Sequence, residues 1–138
     1  MDDPESRIRS VLERHEDVLA AYLFGSVARG TAAPLSDVDV AVLLREDGNL
    51  VHRQRDLITD LSRELRRDDV DVIVLNTCPV ALGYRVLRDG RVLVSRDEKA
   101  RVDHWVRTVD RYIDMAPLRR ALDEGLHHRL EEGRFGRS

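Results

Sequence analysis

Cysteine is nearly missing from this chain: Cys78 is the only one in 138 residues. That excludes an internal disulfide and any zinc site built from several thiolates. Aromatic residues make up only 4%. Trp105 and Tyr112, seven apart, read as core or partner contacts rather than as a base-stacking platform. Long apolar runs are also lacking. The longest, Val18 to Phe24, has seven residues, against roughly 20 for a bilayer-spanning helix. No basic excess is present, since 26 acids face 23 bases for a net charge of −3, which argues against a general nucleic-acid binder. Lysine is reduced to Lys99, so the other 22 bases are arginine, a side chain suited to bidentate contact with carboxylate or phosphate. The acidic start Met1–Glu5 does not read as a basic secretory n-region. A cytoplasmic protein with no membrane association is expected.

Hydrophobic residues at 42% and charged residues at 36% describe one globular fold with one core. Asp3-Pro4 reads as an N-cap followed by proline at the first helical position, opening a helix over about 4–17. Leu19–Phe24 is a buried strand that ends at Gly25-Ser26, and residues 31–36 are loop. Asp37–Leu44 is the clearest strand, turning from alternation into a continuous apolar run as a central strand does. Asn49 caps a helix whose apolar face is Leu50, Leu57, Ile58, Leu61 and Leu65, ending in the charged stretch 66–69. Val70–Leu75 is a further strand, residues 77–87 a helix, and Arg91–Ser95 a short strand after the Asp89-Gly90 turn. An amphipathic helix starts at Asp97 and is interrupted by Pro117; Leu118, Leu122, Leu126 and Leu130 continue it, with 133–138 frayed. The fold class is α/β (α+β), a small mixed sheet flanked by helices with a C-terminal helical tail. The division expected is a domain over 1–116 and a tail over 117–138, whose leucines either pack on the domain or bind a partner.

Three features carry chemistry. Gly25-Ser26 stands at a strand-to-turn junction, with Gly30 following; there a glycine lets N–H groups approach an anion and the Ser26 hydroxyl can bond a phosphate oxygen. Asp37 and Asp39 are two apart on a strand, so both carboxylates project from one face. Asp71 lies near the start of another strand, and if the two strands are neighbours three carboxylates converge. Unpaired, they would repel, and a hard divalent cation relieves that repulsion while recruiting substrate phosphates. Anion-binding turn plus metal-binding carboxylates describes a nucleoside triphosphate site. It is neither a P-loop, lacking Gly-Lys-Ser/Thr, nor a dinucleotide fingerprint. Asp69 shares the strand parity of Asp71, but both it and Asp68 sit in the charged turn, whereas Asp71 stands inside an apolar strand. The five histidines have no metal-ligand spacing and read as surface or helix-face residues, and Cys78 as a packing residue at a helix start.

Gly25-Ser26-Val27-Ala28-Arg29-Gly30 followed by Ser36-Asp37-Val38-Asp39 resembles the signature of the DNA polymerase β-like nucleotidyltransferase superfamily. Asp71–Asn76 and Arg85–Arg91 further resemble the MntA-like antitoxins of HEPN–MNT toxin–antitoxin pairs, the likeness covering roughly residues 18–115. The resemblance implies two Mg2+ ions held by Asp37 and Asp39, with Asp71 completing the metal site and helping to deprotonate the nucleophile. It implies that Gly25 and Ser26 hold the β/γ-phosphates of ATP, with Arg29 near phosphate or acceptor. The expected activity is AMP transfer to a tyrosine of a partner HEPN ribonuclease toxin, which silences it. Two alternatives stand beside it: an antitoxin that neutralises by direct binding alone, and transfer to a small-molecule hydroxyl.

Overall fold

A computed structural model describes residues 3–25 and 38–135, with side chains through 126. The elements run α1 (Pro4–Glu13), β1 (Val18–Phe24), β2 (Val38–Leu44), α2 (Leu50–Leu65), β3 (Val70–Val74), α3 (Val80–Asp89), β4 (Arg91–Ser95), α4 (Glu98–Asp114) and α5 (Ala116–Phe135). The four strands form one sheet in the order β3-β2-β1-β4. β1 pairs antiparallel with β2 and β4, while β2 and β3 are parallel. A parallel pair needs a crossover connection, and α2 supplies it.

Local chemistry sets most element ends. The Asp3 carboxylate accepts from Ser6 N–H at 2.7 Å and Pro4 occupies the first turn of α1. Asn49 accepts from His52 N–H at 3.0 Å to cap α2, and Asp97 accepts from Ala100 N–H at 3.0 Å to cap α4. Helix α1 stops at Glu13, four residues before the expected end, because the next residues serve a tertiary network. Arg53 of α2 grips both oxygens of Asp17 through Nε and Nη2 at 2.5 and 2.7 Å, and the same Nη2 lies 2.9 Å from His15 Nδ1. His15 Nε2 in turn lies 2.7 Å from Asp60. Asp17 is held below the usual carboxylate range, chiefly by the Arg53 hydrogen bonds.

Two apolar layers sandwich the sheet. Ile8, Val11 and Leu12 of α1 with Leu57 and Leu61 of α2 cover one face, on Val18, Leu23, Val40, Val42 and Val72. Val86 and Leu82 of α3 with Ala100 of α4 cover the other, on Ala20, Tyr22, Ala41, Leu43 and Leu75. A register shift between Val18 and Ala20 lets Val18 share a face with Leu23, as a bulge re-aims side chains. Helices α3 and α4 approach closely at Gly83, where an added Cβ would stand 3.4 Å from Cys78 Sγ and 3.6 Å from Thr108 Cγ2.

The C-terminal end differs from expectation in one respect. Pro117 does not break a helix. It lies in the first turn of α5, where its missing N–H is not needed, and the interruption falls at Met115, the C-cap of α4. Arg119 ties the two helices together: it donates to Tyr112 O at 2.6 Å and lies 3.6 Å from the Tyr112 ring centroid. That ring stacks on Tyr84 of α3 at 3.8 Å. No helix among the described residues is long and apolar enough to cross a membrane.

Candidate active site

The β2–β3 register makes Asp39 the direct neighbour of Asp71. In both strands the even-numbered residues face α1 and α2, so both aspartates project from the opposite face at the same ends of adjacent strands. Strand spacing sets the two backbones about 4.8 Å apart, close enough for one cation to bridge the carboxylates. On the other side of β2, Asp39 pairs with Phe24, which brings Gly25 alongside. Gly25 adopts φ +82°, and a Cβ there would stand 2.5 Å from Asp39 Oδ2. The glycine is thus required twice, by its left-handed backbone and by the carboxylate over it.

Asp71 is exposed and lines a cavity of about 230 Å3 with Gln54, Thr77 and the Leu50–Val51 end of α2. Gln54 donates to Val72 O at 2.6 Å, so α2 closes the outer edge of β3 where the cavity opens. Asp69 is differently engaged. Arg67 holds its two oxygens at 2.5 and 2.6 Å, and that pairing lowers its pKa. Ser26, Arg29, Gly30 and Asp37 lie outside the described residues. Among the described residues no group of three or more potential metal-binding side chains is assembled; Asp39 and Asp71 are two oxygen donors of the kind a hard cation takes, and they fit it as a pair.

Of the two readings for the histidines, surface or helix face, His104 takes the second: it is 9% exposed, on the inner face of α4. Its Nε2 lies 3.4 Å from Thr108 Oγ1, and its Nδ1 has no hydrogen-bond partner. Burial pushes its pKa down, against the pull of the Leu75 backbone. The apolar stripe of α4, whose Trp105 and Tyr112 read as core or partner contacts, leaves Val102, Trp105, Val106 and Ile113 between 40% and 60% exposed. The usable signal was the His104–Thr108 pair, one helical turn apart and centred about a fifth of a turn or more from that stripe.

A mixed sheet carrying a glycine turn against paired aspartates is the scaffold of a nucleotidyl-transfer enzyme. The model of the polymerase β nucleotidyltransferase family matches residues 6–99, and the chain belongs to that family of nucleotidyltransferases. No curated protein sequence matches it. Among solved structures it is similar to a chain of a toxin–antitoxin complex with AMP-PNP, at 26% identity and TM-score 0.76 over 89% of this chain and 98% of that one. A chain from a complex of tri-AMPylated Shewanella oneidensis HEPN toxin with MNT antitoxin shares the fold, at 23% identity and TM-score 0.71 over 90% and 96%. A protein classed as a minimal nucleotidyltransferase is 32% identical, with TM-score 0.54 over 65% of this chain and 95% of that one.

Proposed function

We propose that this chain is a magnesium-dependent AMP transferase acting as the antitoxin of a HEPN ribonuclease, moving AMP from ATP to a tyrosine hydroxyl of that partner in the cytoplasm. The observation that carries the reading is the side-by-side placement of Asp39 and Asp71 beside the Gly25 turn. The likeness to a chain of a toxin–antitoxin complex with an ATP analogue supports both substrate and partner. Asp37, Asp39 and Asp71 would hold two magnesium ions, which when bound supply charge stabilisation at the attacking and leaving oxygens. Gly25 and Ser26 offer N–H and hydroxyl donors to the β/γ-phosphates, with Arg29 within the same turn. Asp71 takes the proton of the attacking hydroxyl. The tyrosine oxygen bonds the α-phosphorus, the bond from that phosphorus to its bridging oxygen breaks, and pyrophosphate leaves.

In this reading residues 1–116 form the catalytic unit and 117–138 a partner-binding tail. Co-expression with a HEPN ribonuclease followed by intact mass and peptide mapping tests it. AMP increments on a partner tyrosine are expected with the wild type and none with Asp39→Asn. A second reading, neutralisation by binding alone, is favoured by the exposed Trp105 and Ile113 on α4 and Leu118, Leu122 and Leu126 on α5. Under it the Asp39→Asn variant still neutralises the toxin.

A further inference from the structure

The cavity beside Asp71 has a chemistry of its own. It holds about 230 Å3, below the roughly 300–1,000 Å3 of pockets that enclose a drug-sized ligand, so it admits one ring and not a whole nucleotide or an oligosaccharide. Its walls are apolar on two sides, Leu50 and Val51 from the first turn of α2 and Ile73 from β3. Val51 is 61% exposed; among the described residues Val92 is the only other large exposed hydrophobic outside the 102–126 stretch. Polar groups are few. Gln54 commits its amide N–H to Val72 O, which leaves Oε1 as an acceptor, and Thr77 adds an exposed hydroxyl. Asp71 is the one charged residue among the described lining, and no basic side chain stands there to hold a triphosphate.

Its place in the sheet matters as much as its lining. Phe24, Asp39 and Asp71 stand at one level on β1, β2 and β3, and Gly25 follows Phe24. β3 is the outer strand, so a row runs from the glycine turn through the two carboxylates to the cavity. With strands about 4.8 Å apart, the turn and the cavity lie on opposite flanks of the aspartate pair. An in-line displacement at phosphorus requires that arrangement, because the attacking oxygen enters opposite the leaving one. With the β/γ-phosphates on the Gly25 flank, the nucleophile arrives from the cavity.

We infer that this cavity is the acceptor subsite, built to take the phenol ring of a protein tyrosine, with Leu50, Val51 and Ile73 selecting that ring. The inference rests on the transferase reading and assigns the surface that recognises the acceptor. The ring lies between the apolar walls, where aromatic surface gains from burial, and its hydroxyl reaches Asp71. The phenol oxygen bonds the α-phosphorus, its proton passes to Asp71, and the bond from phosphorus to the pyrophosphate oxygen breaks. A polyhydroxylated small molecule finds too few partners here: one carboxylate, one amide oxygen and one hydroxyl against three apolar side chains. A serine or threonine acceptor leaves the walls unfilled.

Two measurements on the full chain test the inference. In the first, AMP transfer from labelled ATP to a HEPN ribonuclease is compared between wild type and Val51→Ser. The KM for the ribonuclease should rise about fivefold or more, with kcat and the KM for ATP within about twofold of wild type. Thr77→Trp fills the cavity and should abolish transfer while ATP still binds. Both positions are exposed, and unchanged melting temperatures establish that the fold is intact. In the second, N-acetyltyrosinamide is titrated into the methyl-labelled chain without ATP. Nuclear Overhauser contacts from its ring to the Leu50, Val51 and Ile73 methyls are expected, lost in Thr77→Trp, and N-acetylserinamide should shift none of these methyls. An unchanged ribonuclease KM in Val51→Ser, a rise in the KM for ATP instead, or ring contacts that fall elsewhere or nowhere would each overturn the inference. The two readings fail separately: ring contacts without labelling by wild type refute the transferase, and labelling without ring contacts refutes the subsite.

Discussion

Replacing Gly25 by alanine tests how the turn and the carboxylate depend on each other. The new Cβ would stand 2.5 Å from Asp39 Oδ2, where ordinary contact begins near 3.4 Å, so the carboxylate must retreat by about 0.9 Å. The backbone at φ +82° adds about 1–2 kcal/mol of strain for any residue with a Cβ. Asp39 can yield by rotating its side chain, so the protein should fold with a melting temperature lowered by about 3–8 °C. Catalysis has less tolerance. A misplacement near 1 Å costs about a hundredfold in rate, and transfer from α-phosphate-labelled ATP should fall by that factor. Gly48→Ala is the matched control, because nothing lies within 4 Å of its added Cβ and its φ is not left-handed. It should leave both melting temperature and transfer near wild type. A Gly25→Ala enzyme within twofold of wild-type activity would refute the coupling of turn to carboxylate.

Other perturbations address the frame. Asp17→Asn breaks the two-point grip of Arg53 and should cost about 1–3 kcal/mol at neutral pH, read by urea denaturation. The Asp17 pKa is depressed in the folded state, so its contribution is present above the usual value of 3.8 and is lost as pH falls through the lower folded value. Wild type and variant should therefore converge in stability only in strong acid. Gly90→Ala would set a Cβ 2.5 Å from Val86 O and 3.3 Å from Leu23 O; both are backbone atoms that cannot step aside, and a loss of about 1–3 kcal/mol should appear in the same assay. Tyr112→Ala removes the Tyr84 stack and the Arg119 cation–π contact, about 1–2 kcal/mol together, and should speed amide exchange along α5 more than in the sheet.

Elements governed by local chemistry were legible in the sequence. Asp3, Asn49 and Asp97 cap helices in the structure, and the first two were assigned to that role from their neighbours alone. Where tertiary contacts decide, the sequence misled. Helix α1 ends early because Asp17 is drawn to Arg53, a residue 36 positions away. His104 is buried because α4 turns its polar row, not its apolar stripe, toward the sheet. At the candidate site, the facing of Asp39 could be read from strand parity, but the neighbour relation of Asp71 depended on a crossover. The β2–β3 register supplies that relation. The left-handed Gly25 and its contact with Asp39 depend on the β1–β2 pairing and have no signal in residue spacing.

The central claim is that the aspartates beside Gly25 transfer AMP. Its most direct test is label transfer from α-phosphate-labelled ATP with magnesium, using wild type, Asp39→Asn and Asp71→Asn with a HEPN ribonuclease as acceptor. The account predicts label on the ribonuclease with the wild type, abolished by EDTA and by Asp39→Asn and reduced about a hundredfold or more by Asp71→Asn, at unchanged melting temperature. Undiminished labelling with folded Asp39→Asn, or no labelling by wild type that binds both ATP and the ribonuclease, would contradict it.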